Sequence, residues 1–581
     1  MRQGRRFRCF LALLFLSLAL AAGILPSAAR AADYTAARLE NQGKIVARQR
    51  FLTTTAPVIV FTFGGLSKQE SLLPVLEEMR AQGMHGTFFV TERELQRNDA
   101  NIRRILAYGQ DLGIGLRPEA GADYAAYCAQ IARIQTALQA RYGVSTNVVR
   151  QMTGPDEAAI GEAVSAMHCV FVGQGLNIVQ SKHKEAQSPD DVMPQIFGRW
   201  RTSLNRGEIA YLRMDFYTRP TLAAEMLRTI KEKKIDNIAY TAMGSIEERA
   251  QAERESRYAI CSVQDVMKDA ARLYRYPVDV AALPKERQPY ERPPLPKEEF
   301  QAEFFKRYVG APEVGETDRM LGFTRREIAL ADHTGIIKTV ADRTVFLTFD
   351  DWGNDESVNK ILYVLKKHNV HGTFFVITRS LDENPNLLRA IALAGNDIGS
   401  HTHSHRPMTV QDARGLQIPV MDDAEYDADV KRSYEHLVKT VGDITLPSGK
   451  PALTRLLRPP TLAVSRKGVE AILRHGFSYI VNGSGSTEDY SAVSMQSLVG
   501  IINSLTHRKD TGEVKRGAVV VMHMSTTANR TAQALDIVLT KNDALPEGDP
   551  KKFKVGLLSD YLVDGYDQRM KQIPPQDPNG R

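Results

Sequence analysis

Two adjacent carboxylates, Asp350 and Asp351, close a short apolar run at residues 345–349. Some fifty residues further on, the chain reads His401-Thr402-His403-Ser404-His405. His401 and His405 are four apart, so one helical turn would bring both imidazoles to the same face, with His403 pointing away. One carboxylate and two imidazoles form a three-ligand set for a divalent cation. The position left open for water marks a catalytic zinc-type site rather than a closed structural one. The apolar run reads as a strand, and α/β folds present their ligands at the C-terminal ends of strands.

The elements that must hold these groups come twice. Residues 60–119 align with residues 346–405 at a constant offset of 286, without a gap and with roughly a third of the pairs identical. The anchors are Thr62-Phe63 with Thr348-Phe349, the six residues from His85 with the six from His371, and Gly109, Asp111 and Gly113 with Gly395, Asp397 and Gly399. A period this long is a duplicated domain, not a solenoid. The runs at 58–63 and 345–349 are rich in β-branched and aromatic residues, as strands buried on both faces are. Helical spacing follows in Leu72, Val75, Leu76 and Met79, and again in Ile361, Leu362 and Leu365. Strand–helix alternation implies parallel strands with right-handed crossovers, hence an α/β sheet or barrel in each copy. Residues 283–296, LPKERQPYERPPLP, read as a stiff extended linker between helical flanks. The expected division is an export signal at 1–31, a first copy at 50–245, a helical and Pro-rich linker at 246–335 and a second copy at 336–570.

Composition sets the class. The 581 residues are 43% hydrophobic and 25% charged, which excludes a disordered, collagen-like or multi-span chain. Arg2, Arg5, Arg6 and Arg8 precede an apolar run at 10–25, and Ala29-Arg30-Ala31 offers the small residues a signal peptidase reads. Cleavage after Ala31 removes five arginines and no acid, so the formal charge falls from +7 to +2. That is too near neutral for a nucleic-acid binder. The run is shorter than the roughly 20 residues of a spanning helix, so the expectation is no membrane span after signal cleavage and a periplasmic or secreted protein. Cys128, Cys169 and Cys261 remain, enough for one disulfide with one thiol over, or for three buried thiols.

In its motifs the second copy resembles the polysaccharide deacetylase (NodB-homology) family. TFDD at 348–351 and HTHSH at 401–405 are similar to the first two family motifs, and Arg458-Pro459-Pro460 resembles the next. Asp489-Tyr490 looks like a variant of an Asp-Trp pair, and VVVMH at 519–523 resembles the final strand that ends in histidine. The resemblance covers about residues 340–560. It implies two deformed (β/α) barrels and metal-dependent removal of N-acetyl groups from an amino-sugar polymer, with one divalent ion, zinc, as cofactor. Asp351, His401 and His405 would hold the ion. Asp350 would be the general base, kept ionised and oriented by Arg458, and His523 the general acid, its proton affinity raised by Asp489. Pro459, Thr461, Tyr490 and Val521 are the implied substrate-binding positions, with a backbone N–H near Thr461 facing the oxyanion. Thr461 stands where the family usually has tyrosine, Tyr490 replaces tryptophan, and Asn482 or a neighbour stands where a further aspartate is common. These departures bear on substrate choice more than on chemistry.

The first copy has lost the reactive groups. Asp350-Asp351 become Gly64-Gly65, His401 and His405 become Gly115 and Glu119, and Arg213 replaces His523. Arg150 alone survives, opposite Arg458. This copy should keep the fold and lack the activity; it could bind glycan in an open cleft at its vacated strand ends, buttress the second copy, bind a partner or be a purely structural remnant, and the sequence does not choose among these. His85 and His371 recur at a strand start and read as structural. The expected partner is an N-acetylated polysaccharide: peptidoglycan, a chitin-like polymer or an exopolysaccharide. Two other readings stay open. One is a non-catalytic glycan-binding or assembly protein with a vestigial site; the other is a deacetylase-fold amidohydrolase acting on a small amide.

Overall fold

A computed structural model describes residues 34–312 and 320–571; the export signal read at 1–31 lies outside the described residues. The first copy supplies β1 (Val58–Gly64), β2 (Thr87–Val90), β3 (Asp111–Leu116), β4 (Val148–Gln151), β5 (Val170–Phe171), β6 (Leu176–Asn177), β7 (Ile209–Arg213) and β8 (Ala259–Cys261). They form one parallel sheet in the order β5-β4-β3-β2-β1-β7-β6, with β8 paired to β1. The next strands are β9 (Tyr308–Val309), β10 (Met320–Leu321), β11 (Thr344–Asp351), β12 (Thr373–Val376), β13 (Asp397–Ser400), β14 (Thr409–Gln411) and β15 (Gln417–Pro419). The chain continues through β16 (Leu453–Leu457), β17 (Val464–Ser465), β18 (Tyr479–Val481), β19 (Gly485–Ser486), β20 (Val519–His523) and β21 (Lys554–Val555). The second sheet runs β19-β20-β11-β12-β13-β16-β18-β9, with β21 on β11. Strand for strand, the two curled sheets share one order, and helices cover both.

The shared anchors explain the shared register. Thr62 pairs with Thr87 and Phe63 with Phe88; Thr348 pairs with Thr373 and Phe349 with Phe374. The two phenylalanines stack at 4.5 Å between centroids in the first copy and 4.7 Å in the second. A Cβ on Gly86 would stand 2.6 Å from the Phe63 ring, and one on Gly372 would stand 2.8 Å from the Phe349 ring. Glycine before Thr-Phe-Phe is therefore what lets the stack close.

The boundaries expected at 245 and 335 fall inside folded units. β8 belongs to the first sheet and β9 forms the edge of the second, so the segment read as a linker is shared between the two. Its proline-rich part lies along the second copy, where the Arg292 N–H donates to the Arg474 carbonyl at 2.7 Å. All three cysteines are free thiols, and Cys128 is buried.

The two copies are joined by buried polar contacts. The Asn386 amide donates to the carbonyls of Leu52 and Arg206 and accepts from the Thr54 N–H and the Tyr274 hydroxyl. Asp355, fully buried, accepts from Tyr258 at 2.6 Å and from Asn384 at 2.6 Å. A third link is Asp536, which accepts from Tyr240 at 2.8 Å, Lys367 at 2.7 Å and His368 at 2.7 Å. Burial alone would raise its pKa, but the bonds from His368, Lys367 and Tyr240 outweigh that and take it down to about 2. A depressed carboxylate contributes stability above its unfolded pKa of about 3.9 and loses it as the pH falls through the folded value. Asp536→Asn should therefore cost about 2 kcal/mol near pH 7. Urea midpoints of variant and parent should converge between pH 4 and pH 2; a gap independent of pH would show that the charge of Asp536 is not what stabilises the fold there.

Candidate active site

The site is built at the C-terminal ends of β11, β13 and β20 and in the loops that follow β16 and β19. Asp350 and Asp351 end β11; the β11–β20 register sets Asp350 beside His523. Asp350 is 2% exposed and turned into the barrel. There it accepts from Arg458 Nη1 at 2.6 Å. Arg458 is fully buried, bonds also to Thr348 Oγ1 at 2.8 Å and to the Val481 carbonyl at 2.9 Å, and lies 4.2 Å over the Phe375 ring. The neighbouring Asp351 has a left-handed backbone, with φ of 80°, and its Oδ1 stands 3.9 Å from His401 Nε2, to which Asp350 Oδ2 comes within 4.0 Å. Adjacent residues in one strand thus serve two environments.

Asp351, His401 and His405 each place a ligand atom within 4.8 Å of the other two. Asp351 Oδ1 stands 3.3 Å from His405 Nε2 and 3.9 Å from His401 Nε2. His401 Nδ1 donates to the Arg458 carbonyl at 2.8 Å, which fixes the tautomer and leaves the Nε2 lone pair facing the carboxylates. Burial, then the neighbouring His405, push the His401 pKa down to about 3, so its imidazole is neutral, as a metal ligand must be. The donor set, its convergence and its tautomer fit a divalent ion.

The histidine pair is not on a helix, as the four-residue spacing suggested. β13 stops at Ser400, and the HTHSH segment is a loop with Thr402 at φ 65° and His405 at φ 61°. Asp429, on the Asp423–Val441 helix, holds that loop by accepting the His403 N–H at 3.0 Å and the Ser404 N–H at 3.1 Å. His403 itself turns away to Thr378 and packs against His436. Left-handed residues concentrate around this site: Asp351, Thr402, His405, Thr461, Leu462 and Glu488. Such strain persists only where the surroundings over-determine it.

His523 lies across the site. Its Nδ1 bonds to Asp489 Oδ1 at 2.7 Å and its N–H donates to Asp489 Oδ2 at 2.9 Å. Thr531 Oγ1 also donates to that carboxylate. Burial alone would lower the His523 pKa; the bond to Asp489 and the charges of Asp350, Asp489 and Asp351 outweigh it, and the net shift is upward. Tyr490 is 51% exposed and meets the His523 ring edge to face at 4.8 Å. Thr461 is exposed at the tip of the next loop, and among the described residues nothing accepts its N–H. Asn482 steadies that loop by donating to the Leu462 carbonyl at 2.9 Å.

Two expected substrate positions are not brought to an open wall. Val521 is 2% exposed because it faces the barrel interior against Gly483, and Pro459 is buried. Asp429, Thr348 and Thr531 were not expected. Only Thr348 carried a signal, since it recurs as Thr62 in the first copy.

A second group, His85, Asp111 and Asp265, also converges, at the opposite end of the first sheet. His85 and Asp265 are ion-paired, and Ser262 donates to Asp111 at 2.6 Å. The second copy repeats the latter contact, with Ser559 Oγ donating to Asp397 at 2.8 Å. This cluster clasps the segment that follows β8 to the start of β3.

The vacated ends of the first copy are filled, contrary to the expected open cleft. A Cβ on Gly64 would lie 2.5 Å from the Tyr211 hydroxyl, and one on Gly65 would collide with the Asp215 carboxylate. Arg150 lies 3.8 Å over the Tyr211 ring, and Arg213 pairs with Asp215 at 2.7 Å. Gly65 keeps φ at 75°, the conformation of Asp351, without the carboxylate.

Curled parallel α/β sheets carry, at their strand ends, a carboxylate and two histidines whose ligand atoms converge as a candidate site for a divalent ion. Residues 337–480 match the family model of polysaccharide deacetylases. The chain is 29% identical over 204 residues to the peptidoglycan-N-acetylglucosamine deacetylase PgdA of Listeria monocytogenes, covering 35% of this chain and 37% of the relative. It is 27% identical over 179 residues to a peptidoglycan-N-acetylglucosamine deacetylase of Bacillus cereus, covering 31% and 55%. The match thus spans well under two thirds of these relatives' length. Among solved structures, the peptidoglycan deacetylase PdaC from Bacillus subtilis superposes with a TM-score of 0.28 at 20% identity, over 38% of this chain and 91% of that one. No helix among the described residues is long and apolar enough to cross a membrane.

Proposed function

We propose that the chain is an exported, metal-dependent polysaccharide N-deacetylase acting on N-acetylglucosamine-type residues of a glycan polymer. The observation that carries this reading is the split of the two aspartates: Asp351 converges with His401 and His405, while Asp350 is held by buried Arg458. Lewis acidity toward the acetamide carbonyl and toward water is what a divalent ion held by Asp351, His401 and His405, zinc in our reading, contributes when bound. Asp350 takes the proton of the attacking water, and Arg458 keeps its carboxylate ionised and aimed. The oxygen of that water adds to the acetamide carbon, and the Thr461 N–H donates to the developing oxyanion. His523, kept protonated by Asp489, gives its proton to the amide nitrogen as the C–N bond breaks, so the products are acetate and a free amine. Tyr490, half exposed beside His523, forms the wall next to the acetyl methyl. The apolar run at 10–25 supports export, and the polymer-directed names of the relatives support a glycan substrate.

Acetate release from a panel of N-acetylated glycans, with and without chelator, tests the reading. The full chain should hold one divalent ion, His401→Ala should hold none, and activity should vanish on chelation and return with zinc. Stoichiometric metal in His401→Ala, or acetate release indifferent to chelator, would sink it. Release from small amides but not from any polymer would move the substrate class.

A further inference from the structure

The chain contains two tryptophans, Trp200 in the first copy and Trp352 in the second. Both line the same cleft between the copies, a cavity of about 610 Å³. Its wall on the side of the second copy consists of segments that follow β11, β12 and β20, the first and last of which end in site residues. Trp352 directly follows Asp351, Ser380 follows the end of β12, and Thr526 lies three residues past His523. At roughly 3.5 Å per residue, that wall begins within about 11 Å of the reacting groups. The opposite wall belongs wholly to the first copy and includes Trp200 and Asn205. Trp200 is 76% exposed, far more than an indole with only a packing role, although Arg199 stacks on it at 5.2 Å.

We propose that this cleft is a remote subsite for a neutral N-acetylated glycan chain running out of the active site, with the two indoles stacking on sugar rings. Three features support that occupant. The apolar face of a pyranose matches an indole face, while its hydroxyls and acetamide need polar partners of the kind that Ser380, Thr526 and Asn205 supply. The charges of the walls are largely spent: Arg201 is paired with Glu208, and Asp382 with Lys439. Among the described residues, the wall charges left without a partner are Arg50 and Glu383, one of each sign. The balance favours a neutral ligand over a polyanion. Finally, Tyr211 and the Arg213–Asp215 pair occupy the first copy's own strand ends, so this copy meets substrate through its flank. The identity of the ligand rests on the deacetylase reading above; the existence of the subsite does not.

The test uses the full chain and the small number of indoles. Trp352→Phe leaves Trp200 as the only tryptophan, and its emission is titrated with the β-1,4-linked N-acetylglucosamine hexamer, the dimer, and soluble uncrosslinked peptidoglycan strands. A saturable change with a longer glycan, tighter than with the dimer, supports the subsite. Emission unmoved by all three overturns it. In parallel, the KM ratio of Trp200→Ala to parent is measured from dimer to hexamer. It should climb by about tenfold with length, because a remote contact acts only on a chain long enough to reach it. Trp200 is exposed, so its removal leaves no core cavity. A ratio flat across length overturns the proposal even if deacetylation is vigorous. Saturable emission in a protein that releases no acetate keeps the subsite and discards the deacetylase.

Discussion

Asp350→Asn should lower acetate release by on the order of 10²-fold or more, the scale of losing a general base, while the protein still binds its ion. The two aspartates are neighbours, so this result is not a generic consequence of disturbing the strand. Asp350 lies 2% exposed against Arg458, whereas Asp351 converges with both His401 and His405. The amide still offers Arg458 an acceptor oxygen, so the buried arginine keeps a partner and the fold is retained. His523→Ala should lose a comparable factor by removing the proton donor to the departing amine. Metal analysis and turnover on the same preparations decide the matter. If Asp350→Asn sheds the ion and recovers its rate when the ion is resupplied, the roles of the two aspartates are exchanged.

Arg458→Met should give the largest loss of stability, about 3–5 kcal/mol, the cost of leaving one member of a buried ion pair uncompensated. Arg458 is completely buried and ties β16 to β11 through Asp350 and Thr348, and to β18 through the Val481 carbonyl. Methionine fills part of the volume but satisfies none of these groups. Adding Asp350→Asn to Arg458→Met should recover part of the loss, because the stranded carboxylate becomes a neutral amide. Denaturant midpoints of the parent, both single variants and the double variant form a cycle whose coupling term isolates the pair. Additive losses would mean that Arg458 acts through packing alone.

The chemistry was legible because its signals are local or repeated. Asp350-Asp351 and the HTHSH run are contiguous, and the constant offset between the copies marks Thr348, Phe349 and the Gly-Thr-Phe-Phe-Val strand without any knowledge of the fold. What stayed hidden depends on distant partners. The spacing of His401 and His405 suits a helical turn, yet the loop is fixed by Asp429, more than twenty residues away, which no periodicity announces. β9 has two residues, too few to stand out from the helical segment that precedes it. The filling of the first copy follows from the β1–β7 register, which sets Gly64 beside Arg213 and its neighbours. A cross-strand register between residues so far apart cannot be read from either strand alone.

That filling makes the divergence of the copies a ratchet. The glycine pair at 64–65 conserves the turn on which the active copy carries its carboxylates, so two substitutions would seem enough to restore them. Yet Tyr211 and Asp215 have grown into the vacated volume, and Arg150 now rests on the Tyr211 ring. A side chain restored at either glycine would have to displace the ends of the Tyr211, Met152 or Asp215 side chains. On the proposed reading, the first copy carries no reacting groups, and its flank is free to be shaped by whatever lies beside the second copy.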